Sequence, residues 1–456
     1  MALNGWLLAV VWSILAAITL PGLLRVPRLS RVGEAVGAGR SEHPNNGTGR
    51  REPSTAAPGR VSVVIAARDE GSALADTLAA LTAQTLADVE IIVVDDRSQD
   101  DTWTVISRFA AADPRVRGIR VTELPEGWIG KNHALYRGAL AATGAWLVFM
   151  DADVRLHPRT LEETAAFSLR QGFQHVTAIP RLKAGSTPLA TLMLVFALNL
   201  VMFLRPQNAC RGRWGVAGIG AFQWVDRSRY LASGGHAAIR MRPDDDAALG
   251  RLLKRSGCRQ CLVRAGDRVS LAWYERTWEM IEGLEKSPIA AFRYRPWALA
   301  AVMPLLLALY EGPVIGTVTG GHAAWGYGVA WAVVTGLCAV VARGLFAGAV
   351  DDVPADTAGM PAGGAKETRE GAADRPAGGA AQTTAGGKAR RSRTRWRAAA
   401  AVLLWPVGAA LLAFAYLRAA WKVWRHGGLM WRGTLYPLEV LRREGRWPTG
   451  APGARR

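Results

Sequence analysis

Four cysteines in 456 residues are too few for a disulfide scaffold, and the close pair Cys258 and Cys261 lacks the second pair or histidine cluster of a structural zinc site. Reduced thiols are therefore expected. Acidic residues are also scarce, 37 against 56 basic ones, which leaves a net charge of +19, and only 7 of the basic residues are lysine. Of that surplus, +13 lies between Lys388 and Arg456, where Trp396, Trp421, Trp424 and Trp431 are interleaved with arginine around an apolar run. Such a pattern suits an anionic-lipid interface with aromatic anchors. No recognition motif accompanies it, so nucleic acid is not an expected partner. Apolar residues are plentiful, 50% of the chain with mean hydropathy +0.08, which excludes disorder of the whole chain and leaves room for two or three domains.

Residues 2–24 are apolar and nearly uncharged, long enough at about 20 residues to cross a bilayer core. Arg25, Arg28 and Arg31 follow the run, whereas a cleaved signal peptide carries its positive charge before it. The expectation is an N-terminal anchor (1–30) with the chain after Arg25 in the cytoplasm, held at the plasma membrane by several spans. A polar linker (31–60) follows, in which Asn46-Gly47-Thr48 matches a glycosylation sequon that a cytoplasmic position leaves inert. Further spans are expected within 296–350 and at 398–420, separated by a low-complexity loop (351–397) and followed by a basic interfacial tail (421–456). One C-terminal stretch, with Pro304 and Pro313 or with Pro406 inside it, is expected to be re-entrant or interfacial, because four full spans would leave the basic tail outside. Residues 189–204 are short for a span and read as a buried or interfacial helix.

Between 61 and 295 the pattern changes. Short β-branched runs at 61–65, 89–94, 117–121 and 146–150 alternate with helical stretches at 73–84 and 102–112, which predicts an α/β domain with a mainly parallel sheet and helices on both faces. Ligands of such sheets bind at the carboxyl ends of the strands, and this chain places its carboxylates there. The second strand ends in Asp95 and Asp96, suited to base and ribose hydroxyls, with Ser98 and Asp100 able to cap the next helix. The fourth is followed by Asp151-Ala152-Asp153, whose alternate carboxylates face one way and fit a hard cation already carrying diphosphate oxygens. Asp244-Asp245-Asp246 opens a helix, and mutual repulsion raises the pKa of at least one of the three. Together the two clusters supply what sugar transfer to an alcohol needs, a cation on the leaving diphosphate and a base for the acceptor.

In that order, Val61 to Glu70, Asp95 to Asp100, Gly127-Trp-Ile-Gly-Lys131, Asp151 to Asp153, Gly234-Gly-His236 and Asp245-Asp246 resemble a family 2 glycosyltransferase of GT-A fold. The Gly127 to Lys131 segment, Tyr274 to Lys286 and Trp431 to Tyr436 resemble its membrane-bound members that glycosylate lipids, such as the carotenoid (hydroxychlorobactene-type) and hopanoid-associated glucosyltransferases. The resemblance implies inverting transfer of a single sugar, glucose from UDP-glucose being the expected donor group, to a hydroxyl of a membrane lipid, with Mg2+ or Mn2+. It assigns the nucleotide sugar to Ala67, Glu70, Asp95, Asp96, Asp151 and Ala152, the metal to Asp151 and Asp153, the acceptor or sugar to Gly235 and His236, and the base to Asp246 beside Asp245. Two further roles come from the residues themselves: Lys131 offsets diphosphate charge by its sign and place, and Trp128 stacks on the sugar or acceptor or packs locally. His133 and His236 stand outside any metal-ligand cluster and are expected to be structural or substrate-orienting. Trp273 and Trp278, with Arg276 between, suggest an interfacial helix under the active site. Two positions depart from the family: Asp69 stands where Asn is usual, and Asp245-Asp246 where Glu-Asp is usual. The Gln-x-x-Arg-Trp motif of processive synthases is not evident, which agrees with single-sugar transfer. The rivals are a polyprenyl-phosphate sugar synthase, whose acceptor needs no deprotonation, and a non-catalytic membrane sensor of nucleotide sugars.

Overall fold

A computed structural model describes residues 2–29, 58–212, 215–321, 324–346 and 396–445. The linker expectations for 31–57 and 351–395, the Asn46 triplet and the tail beyond 445 lie outside the described residues.

The first helix, α1 (Ala2–Leu24), is followed by β1 (Val61–Ala67), α2 (Gly71–Thr82), β2 (Val89–Asp96), α3 (Thr102–Ala112), β3 (Val116–Val121), α4 (Gly130–Ala141) and β4 (Trp146–Asp151). Strands β2 and β4 run past their apolar stretches and end in Asp96 and Asp151, whereas β1 ends in Ala67 and β3 in Val121. Then come β5 (Val154–Leu156), α5 (Thr160–Gln171), β6 (His175–Leu182), α6 (Thr187–Leu204), β7 (Gln223–Asp226), α7 (Arg227–Ala232), α8 (Asp245–Arg255) and β8 (Gln260–Leu271). These strands form an eight-stranded sheet of order β3-β2-β1-β4-β7-β6-β8-β5. The half from β3 to β4 is parallel as expected and β6 pairs parallel with β8, while β7 pairs antiparallel with β4 and β6 and β5 with β8, so the α/β sheet is mixed. It carries one apolar core on each face, the smaller of them under α4 and α8. Apolar helices are added to this α/β sheet.

The remaining elements are α9 (Thr277–Gly283), α10 (Lys286–Ala291), α11 (Pro296–Thr319), α12 (Ala324–Phe346), α13 (Trp396–Leu403), α14 (Trp405–His426), the hairpin β9 (Gly428–Trp431) and β10 (Thr434–Pro437), and α15 (Leu438–Glu444). By length and composition α1, α6, α11 and α12 are each able to cross a membrane among the described residues, and α13 with α14 passes the same test as a pair bent by 74°. Pro406, in the first turn of α14, follows the bend, because it supplies no N–H to continue α13. Pro304 and Pro313 leave α11 one continuous helix of 24 residues. Of the two stretches in which re-entrance was expected, only the one with Pro406 is broken.

Helix α6 is the least lipid-like of the four, 67% buried within the protein, and the missing side chain at Gly408 lets α14 approach to contact the Thr191 carbonyl. That fits the expected buried helix. The chain leaving α1 is pinned to the sheet, where Arg264 N–H donates to the Pro27 carbonyl over 2.8 Å. The thiols depart from expectation. Cys210 and Cys261 are joined as a disulfide, because the segment after α6 runs beside β8, while Cys258 and Cys338 are free and buried. The tryptophan pair also divides: Trp278 lies exposed on α9, and Trp273 precedes that helix, packed against Phe196 with ring centroids 5.5 Å apart.

Candidate active site

The strand register sets the level of the site. Ala67 faces Asp95 across β1 and β2, and Ala66 faces Asp151 across β1 and β4, so both acidic motifs emerge at one edge of the sheet. Ala152 is buried and its carbonyl accepts the Thr77 hydroxyl over 2.7 Å, in a two-residue turn between β4 and β5 that leaves Asp153 close enough to feel the charge of Asp151. Asp69 takes a left-handed conformation (φ 55°) that Asp shares with Asn, and its carboxylate accepts the Gln99 N–H over 2.8 Å. The departure from Asn therefore leaves this turn intact.

Lys131, in the first turn of α4, ties the two acidic clusters together. Its Nζ lies 2.7 Å from Asp151 Oδ1 and 3.0 Å from Asp245 Oδ2. Burial acts to lower the Lys131 pKa, and Asp151 and Asp245 outweigh it, so the ammonium stays charged. For Asp245 burial acts upward, and Lys131 and the nearby Lys286 together hold the carboxyl below its ordinary range. Asp246 is the opposite case: burial and then the Asp245 charge push it up to about 6. Its Oδ2 accepts the Gly220 N–H over 3.1 Å and its Oδ1 the Ala247 N–H over 2.7 Å, which fixes the carboxylate plane. The repulsion foreseen among Asp244, Asp245 and Asp246 thus resolves into one low and one high carboxyl at adjacent positions. Asp244 lies outside this pair, its carboxylate bound to Arg242 over 2.6 Å.

Asp153 is pushed up to about 7, first by burial and then by the charges of Asp151 and Glu70. The three carboxylates thus repel one another, and the opposing charge of Lys131 does not offset that repulsion and the burial at Asp153. Among the described residues no three His, Cys, Asp or Glu side chains form a cage for an ion. The donor set fits a divalent cation that takes one or two carboxylates from the protein and the rest of its shell from phosphate and water.

On the neighbouring strand, Asp95 is fully buried, and its Oδ1 accepts the Ser98 N–H over 3.1 Å. Its Oδ2 receives no hydrogen bond, and Arg120 Nε stands 3.5 Å away. A buried carboxylate oxygen with spare acceptor capacity is suited to a hydroxyl or N–H of a ligand. Asp96 is held by Arg97 over 2.8 Å. Asp100 receives the Gly71 N–H over 3.0 Å and the Thr102 N–H over 3.0 Å, so its work is capping and turn closure.

The acceptor-side expectations separate. His236 is fully buried, with Nδ1 2.9 Å from the Tyr230 hydroxyl, and burial lowers its pKa to about 4. A neutral imidazole there forms the floor beneath Lys131, Asp151 and Asp245, beside the small cavity that they line. Gly235 packs on the Tyr230 ring, where a Cβ would approach Tyr230 Cζ to 2.3 Å, so its small size serves packing. Trp128 is half-buried and stacks on Tyr136 with centroids 5.3 Å apart, and His133 meets its edge. These contacts account for both side chains locally.

Four residues of the site were absent from the sequence assignments. Gly220 lies flush against the metal motif, where a Cβ would stand 2.9 Å from Asp151 Oδ2. Lys286, from α10, faces Asp245, and its Nζ lies 3.9 Å from the Trp431 ring centroid. Tyr274 is pushed up to about 12 by burial and by Asp151 and Asp153. Arg432, at the tip of the C-terminal hairpin, donates to Glu70 Oε1 over 2.7 Å and to the Arg68 carbonyl. The Gly215 to Gly220 run was a signal for the first, and the others lie in the Tyr274 to Lys286 and Trp431 to Tyr436 segments singled out above, though their roles in the site appear only through tertiary contact.

Residues 62–240 match the family Glycosyl transferase family 2, over the strands that carry both acidic motifs and the Gly234-Gly-His236 turn. These residues are a family 2 glycosyltransferase domain. Over 229 residues, 50% of this chain and 60% of the relative, the domain and its continuation are 28% identical to the 4,4'-diaponeurosporenoate glycosyltransferase of Staphylococcus haemolyticus. Over 107 residues, 23% of this chain and 40% of the relative, they are 34% identical to the PGL/p-HBAD biosynthesis glycosyltransferase of Mycobacterium bovis. The chain thus spans about 60% of the first of these relatives and less of the second. Among solved structures, the mannosyltransferase PcManGT of Pyrobaculum calidifontis, in complex with GDP-Man and Mn2+, aligns over 89% of this chain and 99% of its own, with a TM-score of 0.43 and 17% identity. The glucosyl-3-phosphoglycerate synthase of Mycobacterium tuberculosis, with Mn2+ and UDP-glucose, aligns over 51% of this chain and 78% of its own, with a TM-score of 0.35 and 21% identity. The matched residues hold Glu70, Asp95, Asp151 and Asp153, and Asp245 and Asp246 follow just beyond them.

Proposed function

We propose that the chain is an inverting glycosyltransferase that moves one sugar from a nucleotide-diphosphate sugar to a hydroxyl of a membrane lipid. The observation that carries this reading is the opposed pair Asp245 and Asp246, in which Lys131 and Lys286 hold the first ionised and burial with its neighbour's charge raises the second to about 6. A carboxylate with a pKa near 6 is ionised at neutral pH and still basic enough to accept a proton as the acceptor oxygen attacks.

In this reading Asp246 accepts the acceptor's proton while the hydroxyl oxygen bonds to the anomeric carbon and the nucleoside diphosphate leaves. The Gly220 and Ala247 N–H groups orient the carboxylate for that transfer. Asp95 and Glu70 address the nucleoside, and Lys131 stands beside the position of the diphosphate. Asp151 and Asp153 would hold a divalent cation, Mg2+ or Mn2+, which supplies charge for the leaving diphosphate. Solved structures of similar fold carry Mn2+ with GDP-Man or UDP-glucose, and glucose from UDP-glucose is the donor proposed here. The apolar helices and the names of the relatives support a lipid acceptor of carotenoid or similar type. The membrane arrangement proposed is multi-pass, with the family 2 domain on the cytoplasmic side, where Arg25 and Arg28 follow α1.

The test is sugar transfer from a panel of nucleotide sugars to extracted membrane lipids by the detergent-solubilised full chain, with Mn2+ or Mg2+. Sugar entering the lipid phase, and failing to do so in Asp153→Ala, is the expected result. A donor that binds with metal but is never turned over would move the reading to a sensor.

A further inference from the structure

The C-terminal hairpin reaches the donor end of the site and carries a charge that the mechanism above leaves unused. Trp431 pairs with Thr434, so Arg432 and Gly433 form a two-residue turn, with φ of 45° and 76°. Such turns require positive φ at both positions and are ordinarily built from Asn, Asp or Gly. Arginine at the first position carries a backbone penalty that its side chain does nothing to relieve within the turn. That side chain extends instead to Glu70 and the Arg68 carbonyl, just beyond β1.

The hairpin is fixed on both sides of this contact. Behind it, Lys286 sits over the Trp431 ring while facing Asp245. Ahead of it, the buried Tyr436 presents its hydroxyl to the Gly130 N–H, one residue from Lys131. The Arg432 side chain is 39% exposed and Glu70 27%, so the guanidinium stands at the surface, open to a ligand, rather than inside the fold. It is also close enough to Tyr274 to act on the same phenol that Asp151 and Asp153 perturb.

We propose that Arg432 is a donor-binding residue whose guanidinium engages the diphosphate of the nucleotide sugar, with the hairpin serving as its mount. This rests on the donor reading above and extends it to an element 362 residues away from Glu70 in sequence. A planar guanidinium offers paired N–H donors that match phosphate oxygens, and Lys131 is already committed to Asp151 and Asp245. On donor binding the guanidinium exchanges its bond to Glu70 for the diphosphate, which frees the Glu70 carboxylate for the nucleoside.

The experiment is calorimetric binding of UDP and of uridine, with GDP and guanosine as the second pair, to the full chain in detergent with Mn2+. Arg432→Gly suits the positive φ and keeps the turn, and Arg432→Lys keeps the charge without the fork. For the nucleotide that wild type binds, affinity for the diphosphate is expected to fall roughly tenfold or more in Arg432→Gly, with the nucleoside unchanged within about twofold. Arg432→Lys recovers only part of the loss. Equal weakening of diphosphate and nucleoside, or no change in either, would overturn the proposal and leave Arg432 a latch for the hairpin. Absence of any nucleotide binding by wild type would instead remove the donor reading and the proposal with it.

Discussion

Lys131 Nζ donates to Asp151 Oδ1 over 2.7 Å and thereby joins Asp151 at the end of β4 to the Asp245 and Asp246 pair at the start of α8, since the same ammonium also holds Asp245. The two motifs are 94 residues apart in the chain, and one cation spans them. Charge added at the diphosphate end is therefore felt at the base end, and four of the five predictions below concern that shared electrostatics.

The pH dependence of transfer follows from Asp246. Its carboxyl stands near 6, so the base form disappears as pH falls through that value. The rate at saturating substrates should rise with pH across about 6 and level off above 7. A profile flat from pH 5 to 8 would exclude Asp246 as the titrating base.

The metal-free protein should lose stability as pH rises. Asp153 has a folded pKa of about 7, against about 3.9 in the unfolded chain, so the folded state retains a proton that the unfolded state releases between them. The stabilising contribution is full below about pH 4 and is lost as pH rises through about 7. Asp153→Asn removes the ionisation, and its thermal midpoint above pH 7 should exceed that of wild type without metal, by the equivalent of roughly 1–4 kcal/mol. Equal midpoints at pH 8 would count against the repulsion described.

Metal should act only through intact carboxylates. With UDP present, Mn2+ should raise the thermal midpoint of wild type by several degrees and leave Asp153→Ala unmoved, because Asp153 and Asp151 are the residues that would hold the cation. A Mn2+ shift preserved in Asp153→Ala would place the ion elsewhere.

Close packing of Gly220 on Asp151 gives a steric test. Gly220→Ala puts a Cβ 2.9 Å from Asp151 Oδ2 and should lower kcat at least ~10-fold by displacing the carboxylate from Lys131. Gly212→Ala, with open space at its Cβ, should change nothing. Comparable rates in both variants would show that the Asp151 position tolerates adjustment.

Much of this site was legible in the sequence, because strand ends announce themselves by local composition. The β-branched runs stop where Asp95 and Asp151 begin, whereas the pairing of Asp151 with Asp153 comes from a turn at Ala152 and Asp153 rather than from the strand alternation expected there. The sign of the shift within Asp244 to Asp246 was also foreseeable, but not which carboxylate would rise. That choice is made by Lys131 and Lys286, which reach Asp245 from other elements. Gly235 resembled a ligand-facing glycine and turned out to seat Tyr230, a contact that no local pattern encodes. The basic tail read correctly as rich in tryptophan and arginine, yet its composition says nothing of Trp431 meeting Lys286 or Arg432 meeting Glu70. Strands β5 to β8 were not read from the sequence, and β7, which pairs antiparallel with β4 and β6 and so makes the sheet mixed, is only 4 residues long.

The most direct measurement is the turnover number of Asp246→Asn on a lipid hydroxyl acceptor, taken beside UDP binding in the same preparation. The variant is predicted to lose at least ~100-fold in kcat while binding UDP within about twofold of wild type. Turnover within a few-fold of wild type would contradict the account, and would point to an acceptor that is already ionised, such as a lipid phosphate.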